Sequence, residues 1–304
     1  MRNDDALTVD DVAEILQVSR NTVYALKKKG ALNSYTVGRK LRFTYADVQD
    51  YISSKKNAQA RSTKAFPIVE ETEELILCGQ DIILDVLSNY LFQAGVRCLR
   101  SYVGSYDALT ALYKDEVQVA SVHLWDVASG EYNIPFVRRL LPGIPTVVIN
   151  LTYRTQGFYV AKGNPKGIES WEDLKRDDIT LVNREKGSGS RVLLDGKLRQ
   201  FGIAAHEVRG YDTEVQSHIA VASAVARRRA DVALGSEKIA RQVDGIDFVP
   251  LQKEPYDLVV KRELFESKAV RKMRGILESR VLKDEFAGLG GYDTSDMGRI
   301  VSID

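Results

Sequence analysis

Residues 182–195 read VNREKGSGSRVLLD and mark the place where a strand-like segment gives way to a helical one. The polar loop between them is spaced by Gly187 and Gly189, and glycine lets a backbone approach a ligand closely. The first N–H groups of the helix that follows have no partners inside the helix. The stretch therefore predicts an anion-binding loop at a helix N-terminus.

The side chains of this loop favour the same ligand class. Ser188 and Ser190 supply hydroxyl donors, and Arg184 and Arg191 supply positive charge. The loop lacks both the Lys-Ser/Thr ending of a nucleotide-binding P-loop and the third glycine of a dinucleotide-binding turn. The alternative is a serine- and glycine-rich helix cap that holds no ligand.

Strand-like and helical patterns alternate on both sides of the loop. EELILCG, VRCLRSYVG and VQVASVHL are typical of strands before it, and ADVALG and FVPL after it. TEVQSHIAVASAVARRR reads as a helix, and a terminal helix is expected at about 267–283. This order favours an α/β fold with a mainly parallel sheet. Two such lobes, joined by VINLTYRTQGFYVAKGNP, would enclose a cleft at the strand ends.

Further polar residues stand where other strands end. Ser105 opens the helical pattern SYDALTAL, and His123 follows the strand VQVASV. His123 and His218 can equally be structural, and Arg154 can instead form an ion pair between the lobes. The predicted ligand-binding residues are Ser105, His123, Arg154, Asn183, Arg184, Ser188, Gly189, Ser190, Arg191 and Tyr211.

The first 55 residues have a different pattern. Thr8 with Asp11, and then Ser19, are N-cap signals for two short helices, the second of which ends at Gly30. A hairpin pattern, SYTVGRKLRFT at 34–44, bends at its glycine, and a further helix follows. Two helices joined by a brief turn and followed by a hairpin predict a winged helix-turn-helix.

Candidate DNA contacts lie at the start of the second helix, at its basic end and on the hairpin. The N-terminal end of a recognition helix meets base edges, and basic residues on a wing reach phosphates. Lysines at a helix C-terminus also stabilise its dipole, and the hairpin tip can simply be solvated. The predicted DNA-binding residues are Ser19, Arg20, Asn21, Thr22, Tyr24, Lys27, Lys28, Arg39, Lys40 and Arg42.

Charge is distributed unevenly along the chain. Residues 1–65 carry 12 Lys or Arg and 7 Asp or Glu, a net charge of +5, although the net charge of the whole chain is only +1. A polyanion would therefore meet the N-terminal part. The N-terminus lacks the apolar core of a signal peptide, and no apolar run reaches the ~18 residues of a membrane span. We expect a cytoplasmic protein without membrane association.

Two parts of the chain resemble known families. Residues 6–54 resemble the excisionase-type, MerR-like winged-helix domains. Six motifs over residues 74–290 are similar in order and spacing to periplasmic-binding-protein-like sensor domains related to molybdate- and tungstate-binding proteins. These motifs are GSYDAL, VHLWD, YRTQGFYVAKGNP, NREKGSGSRVLLD, GYDTEVQSHIAVASAVARRRADVALG and FVPLQKEPYDLVV. We expect a DNA-binding domain at 1–55, a linker at 56–73 and a two-lobed, type II periplasmic-binding-protein-like domain at 74–304.

These expectations combine into a one-component transcriptional regulator. It would bind double-stranded DNA, as a homodimer that matches a symmetric operator, and sense a small oxyanion, molybdate or tungstate, without a cofactor. The sensor family commonly has a Gly-Ser-His-Asp-like run where this chain has CGQD at 78–81, so a different anion is the alternative. Asp81 remains there, to cap the helix or accept a ligand proton.

Two other classes of function are alternatives to the regulator. An excisionase-like or architectural DNA-binding protein would use the body for protein contacts and bind no small ligand. An enzyme is not expected, because the sequence has no GxSxG, no HExxH and no cluster of metal ligands.

Overall fold

The computed structural model describes residues 6–38, 40–49, 51 and 73–303. The chain divides into two compact units, Met1–Glu70 and Glu71–Asp304. The expected linker at 56–73 lies outside the described residues, except for Glu73, which begins a strand.

The N-terminal unit is a helix-turn-helix followed by a hairpin and a helix. Helices α1 (Val9–Ile15) and α2 (Arg20–Lys28) are joined by a short turn. Strand β1 (Tyr35–Val37) pairs antiparallel with β2 (Lys40–Arg42), and residues 45–49 form α3. This is the winged arrangement that the sequence predicts.

Side chains cap the helices of this unit at the predicted positions. Thr8 and Asp11 form a reciprocal capping box at α1, in which the Asp11 N–H lies 3.2 Å from Thr8 Oγ1. At α2 the Thr22 N–H donates to Ser19 Oγ at 3.2 Å. Below the helices lies a small core of buried side chains, which are Val12, Val23, Leu32, Phe43 and Val48.

A seven-stranded mixed sheet frames the C-terminal unit, in the order β11-β6-β10-β5-β3-β4, with β9 also paired to β6. Strands β3, β4 and β5 are parallel neighbours, whereas β6 and β10 run antiparallel to each other over 16 residues each. The strand bounds are β3 Glu73–Cys78, β4 Val96–Ser101, β5 Val119–Val122, β6 Thr146–Ala161, β7 Asn183–Arg184, β8 Glu214–Val215, β9 Val232–Ser236, β10 Ile246–Lys261 and β11 Ile300–Ile303.

The prediction of a mainly parallel sheet is therefore wrong for the strands that connect the lobes. β6 is buried along most of its length, and a continuous apolar run is also typical of parallel strands. Apolar periodicity reports which faces are covered but not the direction of the neighbouring strand. The β6–β10 ladder shifts register at Pro250/Gln252 and at Tyr256/Asp257.

Helices cover both lobes. The helix bounds are α4 Ile83–Gln93, α5 Ser105–Tyr113, α6 Ile134–Leu140, α7 Gly189–Gln200, α8 His218–Ala226, α9 Glu237–Ala240, α10 Lys268–Glu278 and α11 Arg280–Leu289. The helix predicted within TEVQSHIAVASAVARRR is shorter than expected, because its first residues form β8 and Ser217 caps α8. The expected terminal helix is two helices, because Ser279 is extended and caps α11.

Each lobe has its own apolar core, and β6 and β10 contribute to both. The first lobe packs α4, α10 and α11 against the sheet around Ile149 and Leu258. The second lobe packs α7 around Phe158 and Trp171, whose rings meet edge to face with centroids 5.0 Å apart. The two long strands are therefore the structural link between the lobes.

A carboxyl group is buried beside this link. Asp257 on β10 is 2% exposed and accepts hydrogen bonds from Asn133 Nδ2 at 2.7 Å and Asn150 Nδ2 at 2.9 Å. Burial raises the pKa of Asp257 to about 6, although both amides oppose the shift. The protonated form is therefore favoured more strongly in the folded protein than in the unfolded chain.

We expect the substitution Asp257→Asn to remove a pH-dependent part of the stability. The folded-state pKa lies above the ordinary value, so this contribution is fully present below about pH 4 and is lost as pH rises through about 6. At ~1.4 kcal/mol per pKa unit, the loss is on the order of 3 kcal/mol. Urea unfolding of both proteins between about pH 4 and pH 7 measures it. A difference in unfolding free energy that stays constant over this range contradicts the prediction.

Candidate functional site

A small cavity lies between the two lobes of the C-terminal unit, next to the β6–β10 ladder. Its volume of about 10 Å³ is what one water molecule needs. Ends of strands and starts of helices from both lobes form its walls. The lining residues are Gly79, Gln80, Asp81, Val103, Gly104, Ser105, Ser121, His123, Arg154, Ser188, Gly189, His218 and Tyr256.

Glycines allow the two lobes to touch around this cavity. The Tyr106 N–H donates to the Gly187 carbonyl at 3.0 Å, and a Cβ on Gly104 would lie 2.9 Å from the same oxygen. A Cβ on Gly189 would lie 2.4 Å from Cε1 of His123. Real Cβ atoms do not approach so closely, so these contacts depend on the absence of side chains at Gly104 and Gly189.

Arg154, in the middle of β6, is the central charge of the site. Its side chain is 1% exposed, and Nε donates to Glu254 Oε1 at 2.8 Å while Nη1 pairs with Asp81. Its guanidinium also lies 4.2 Å from the ring centroid of Tyr256. Burial opposes the charge, but the two carboxylates raise the pKa of Arg154. The guanidinium therefore links Asp81 of the first lobe to the crossing strands.

His123 and Gln156 extend this network. His123 Nδ1 lies 3.1 Å from Glu254 Oε2, and Gln156 Nε2 donates to Glu254 Oε1 at 2.8 Å. Burial lowers the pKa of His123, although Glu254 opposes the shift. Burial also opposes ionisation of Glu254, yet His123 and Arg154 hold the pKa of Glu254 below its usual value. The carboxylate is thus fixed by three neighbours.

The predicted anion loop joins the same site from the second lobe. Arg184 is 2% exposed; its Nη2 donates to Gln80 Oε1 at 2.6 Å and to Glu185 Oε1 at 2.7 Å. Ser190 Oγ donates to Gln156 Oε1 at 3.2 Å. Side-chain hydrogen bonds therefore tie this loop both to the first lobe and to the crossing strands.

Buried nitrogens remain without partners around the cavity. Arg154 Nη2, Arg184 Nη1 and His218 Nδ1 make no hydrogen bond to any part of the chain that the structure describes. Arg154 Nη2 is 2.7 Å from Glu254 Oε1, but without hydrogen-bond geometry. An unsatisfied buried donor costs about 1–3 kcal/mol. An acceptor-rich, negatively charged ligand would satisfy the two guanidinium groups.

Several predicted ligand-binding residues come together here. Ser105, His123, Arg154, Ser188 and Gly189 line the cavity. Two others lie just behind the walls. Arg184 donates to the lining residue Gln80, and the Ser190 hydroxyl donates to Gln156.

The remaining three do not line the cavity. Asn183 Nδ2 donates to the Tyr211 carbonyl at 3.1 Å, and the Tyr211 hydroxyl donates to Asp195 at 2.9 Å. The Arg191 guanidinium lies 4.2 Å from the Tyr211 ring centroid and pairs with Asp195 and Glu214, each at 3.0 Å. The first turn of α7 points Arg191 away from the cavity, so these residues stabilise the second lobe around α7 and β8.

Other cavity residues are not among those predicted. Tyr256 lines the cavity, and Glu254 pairs with the lining residue Arg154. Both lie in mid-strand, and only the crossing of β6 and β10, about 100 positions apart in sequence, brings them to Arg154. Gln80 and Asp81 belong to the CGQD stretch, which is a usable signal. The sequence indicates His218 only as a possible structural residue at a helix start, although it lines the cavity.

In the N-terminal unit, the predicted DNA-binding residues lie on α2 and the hairpin. All those described are exposed except Arg42, which is half-buried and donates through Nη1 to the Leu41 carbonyl at 3.1 Å. Arg20 pairs with Asp10 at the surface. Arg39 lies outside the described residues.

Two classes of feature are not found in the described part of the chain. None of its helices combines the length and apolar character needed to cross a bilayer. Across the same residues, no three His, Cys, Asp or Glu side chains are grouped so that they could hold a metal ion.

Known proteins share both units. Residues 89–278, more than half of the chain, match the PBP superfamily domain, and residues 6–56 match a helix-turn-helix domain. The uncharacterized protein YvgK of Bacillus subtilis (strain 168) is 39% identical over 308 residues, which cover 99% of each chain. Neither matched family is one of enzymes.

Solved structures share the fold at low identity. A phosphate ABC transporter substrate-binding protein with bound phosphate, from Clostridium perfringens, has a TM-score of 0.54 and 15% identity, covering 73% of this chain and 99% of its own. Full-length BenM has a TM-score of 0.50 and 13% identity, covering 92% of each chain. The predicted helix-turn-helix and two-lobed fold are confirmed. The chain thus belongs to the PBP superfamily and carries a helix-turn-helix domain ahead of its PBP domain.

Proposed function

We propose that this protein is a one-component DNA-binding transcriptional regulator that senses a small oxyanion between its lobes. The observation that carries the proposal is the pair of buried guanidinium nitrogens, Arg154 Nη2 and Arg184 Nη1, which make no hydrogen bond within the described residues, although Arg154 Nη2 lies 2.7 Å from Glu254 Oε1. Arg154 lines the interlobe cavity and Arg184 lies just behind its wall, in a chain that also has a helix-turn-helix domain.

Donors from both lobes converge on this cavity. The N-terminal turns of α5 and α7 meet there, and the first N–H groups of a helix lack partners within it. The cavity has room for one water, so a four-oxygen anion requires the glycine contacts between the lobes to loosen. Ligand binding therefore changes the spacing of the lobes. An anion that binds one lobe arrangement more tightly increases the fraction of the regulator in that arrangement.

The chemistry of the donors supports molybdate or tungstate as the ligand. The carboxylates of Asp81 and Glu254 already accept hydrogen bonds from Arg154, Tyr292, His123 and Gln156. Donors without partners, beside carboxylates that already accept hydrogen bonds, favour a fully deprotonated dianion, because such an ion needs donors only. Phosphate is the ligand of the Clostridium perfringens neighbour. Because monohydrogen phosphate carries a proton, it binds best where an acceptor is free to take a hydrogen bond from it. Phosphate is therefore the informative comparison. A homodimer is proposed because symmetric operators bind symmetric proteins.

The first experiment compares anions in two assays on the full-length protein. Molybdate or tungstate at a large excess over Kd should raise Tm by several degrees, because 100-fold excess stabilises by ~2.7 kcal/mol. The same anion should change the affinity for a DNA site, selected from a random library, by several-fold. Sulfate and phosphate are the comparison anions. Tm and DNA affinity that respond to none of the four would remove the sensing function.

The substitution Gly189→Ala tests the position of the ligand. The added methyl group would occupy the space between the start of α7 and the His123 ring, so we expect roughly tenfold or more weaker anion binding by calorimetry. Gly275→Ala on α10 is the matched control, because a Cβ there meets nothing within 4 Å. DNA binding without anion should be unchanged in the Gly275 variant. Equal anion affinity in both variants contradicts this placement.

The substitution Lys40→Ala tests the hairpin as a DNA contact. Lys40 is exposed on β2, and loss of one phosphate contact lowers the slope of log affinity against log salt by about one. Lys268→Ala, an exposed position in the C-terminal unit, is the control and should retain the wild-type slope. Fluorescence anisotropy over a salt series measures both. An unchanged slope in the Lys40 variant would exclude the phosphate contact.

A further inference from the structure

We propose that His218 couples anion binding to proton uptake, so that the sensor responds to pH as well as to anion concentration. The inference rests on the proposed function, because it requires an anion in the interlobe cavity. It assigns a ligand contact to a residue whose sequence context suggests only a helix start.

The position of His218 is set by the start of α8. Ser217 caps this helix by accepting from the Ala220 N–H at 3.2 Å, and its backbone has φ +93°. Non-glycine residues rarely adopt such a conformation. His218 lines the cavity, and its Nδ1 is buried without a hydrogen-bond partner among the residues described. The residue as a whole is half-buried, which leaves a route for proton exchange with solvent.

The neighbouring groups whose charges act on the pKa of His218 are cationic or neutral. They are Arg184 of β7, Arg154 of β6 and His123 after β5. Burial and these neighbours lower the pKa of His218 well below its usual value, so the imidazole is neutral near pH 7 without an anion. The two guanidinium groups carry the charge that an anion would meet first.

The nearby carboxylates are committed to other groups. Asp81 and Glu254 pair with Arg154, and Glu185 pairs with Arg184. On α9, which packs against α8, Glu237 pairs with Arg241, and Lys238 donates to the Leu289 carbonyl. None of the acidic groups in the described structure hydrogen-bonds to His218 Nδ1.

A bound dianion reverses this balance. A negative charge within hydrogen-bond reach of Nδ1 favours the protonated imidazole, which raises the pKa of His218 in the complex above its value in the free protein. The complex then holds a proton that the free protein lacks. Anion affinity therefore rises as pH falls between the two pKa values, by up to about tenfold per pH unit, and is flat outside that window.

Calorimetry of the full-length protein measures this coupling. Molybdate, tungstate, sulfate and phosphate are titrated between about pH 6 and pH 8, in pairs of buffers with different ionisation enthalpies, which counts the protons taken up. Wild-type protein should take up as much as one proton per anion and bind several-fold more tightly at about pH 6 than at about pH 7. The His218→Gln variant should lose both the proton uptake and the pH dependence.

A matched control is available because the chain has only three histidines. His206 is exposed and outside the cavity, so His206→Gln should behave as wild type. The ionisation of phosphate itself is the same for every variant and cancels in the comparison. If His218→Gln does not fold, imidazole NMR signals of the wild-type protein, assigned with the His206→Gln and His123→Gln variants, should show His218 becoming protonated when the anion is added, and protonation of His123 instead overturns the proposal.

The outcomes separate this inference from the proposed function. Anion binding without proton uptake, or a pH dependence that persists in His218→Gln, overturns the role of His218 and leaves the regulator intact. Failure of all four anions to bind at any pH overturns both.

Discussion

The buried charge of Arg154 is the constraint on which the C-terminal unit depends. A guanidinium that is removed from water must be paired, and removal of one partner of such a pair typically costs about 3–5 kcal/mol. Asp81 reaches it from the first lobe and Glu254 from β10, and His123 and Gln156 attach to Glu254. The walls of the cavity are therefore fixed by one side chain at the middle of β6.

This network also explains why hydrogen-bond donors at the candidate site lack acceptors. The carboxylates of Asp81, Glu254 and Glu185 are paired with Arg154 and Arg184, whereas each of these arginines keeps one nitrogen without a hydrogen bond to any described residue. An anion would complete the set. A regulator needs a coupling free energy of only about 1–3 kcal/mol between its ligand and its DNA, and a few hydrogen bonds made in one lobe spacing provide that.

What the sequence could predict depends on how far apart in the sequence the interacting residues lie. The capping box at Thr8 and the cap at Ser19 are local and are predicted correctly, and the Ser188–Gly189 loop and Ser105 stand at helix starts that the pattern reveals. Glu254 could not be found in this way, because only the packing of distant strands brings it to Arg154. The pattern places His218 at a helix start but does not show that it lines the cavity. Arg191 shows a third case: its helix is predicted, but the phase of its first turn directs it towards Glu214.

The lobes are joined by a long hydrogen-bonded ladder, and this ladder affects how fast the proposed anion could be released. β6 and β10 pair over almost their whole length, and their register shifts at only two places, Pro250/Gln252 and Tyr256/Asp257, on either side of Glu254. Wide separation of the lobes would break this ladder, so we expect any bending to occur at these two irregularities. Release of the proposed anion would require movement at these segments, so we expect it to dissociate slowly.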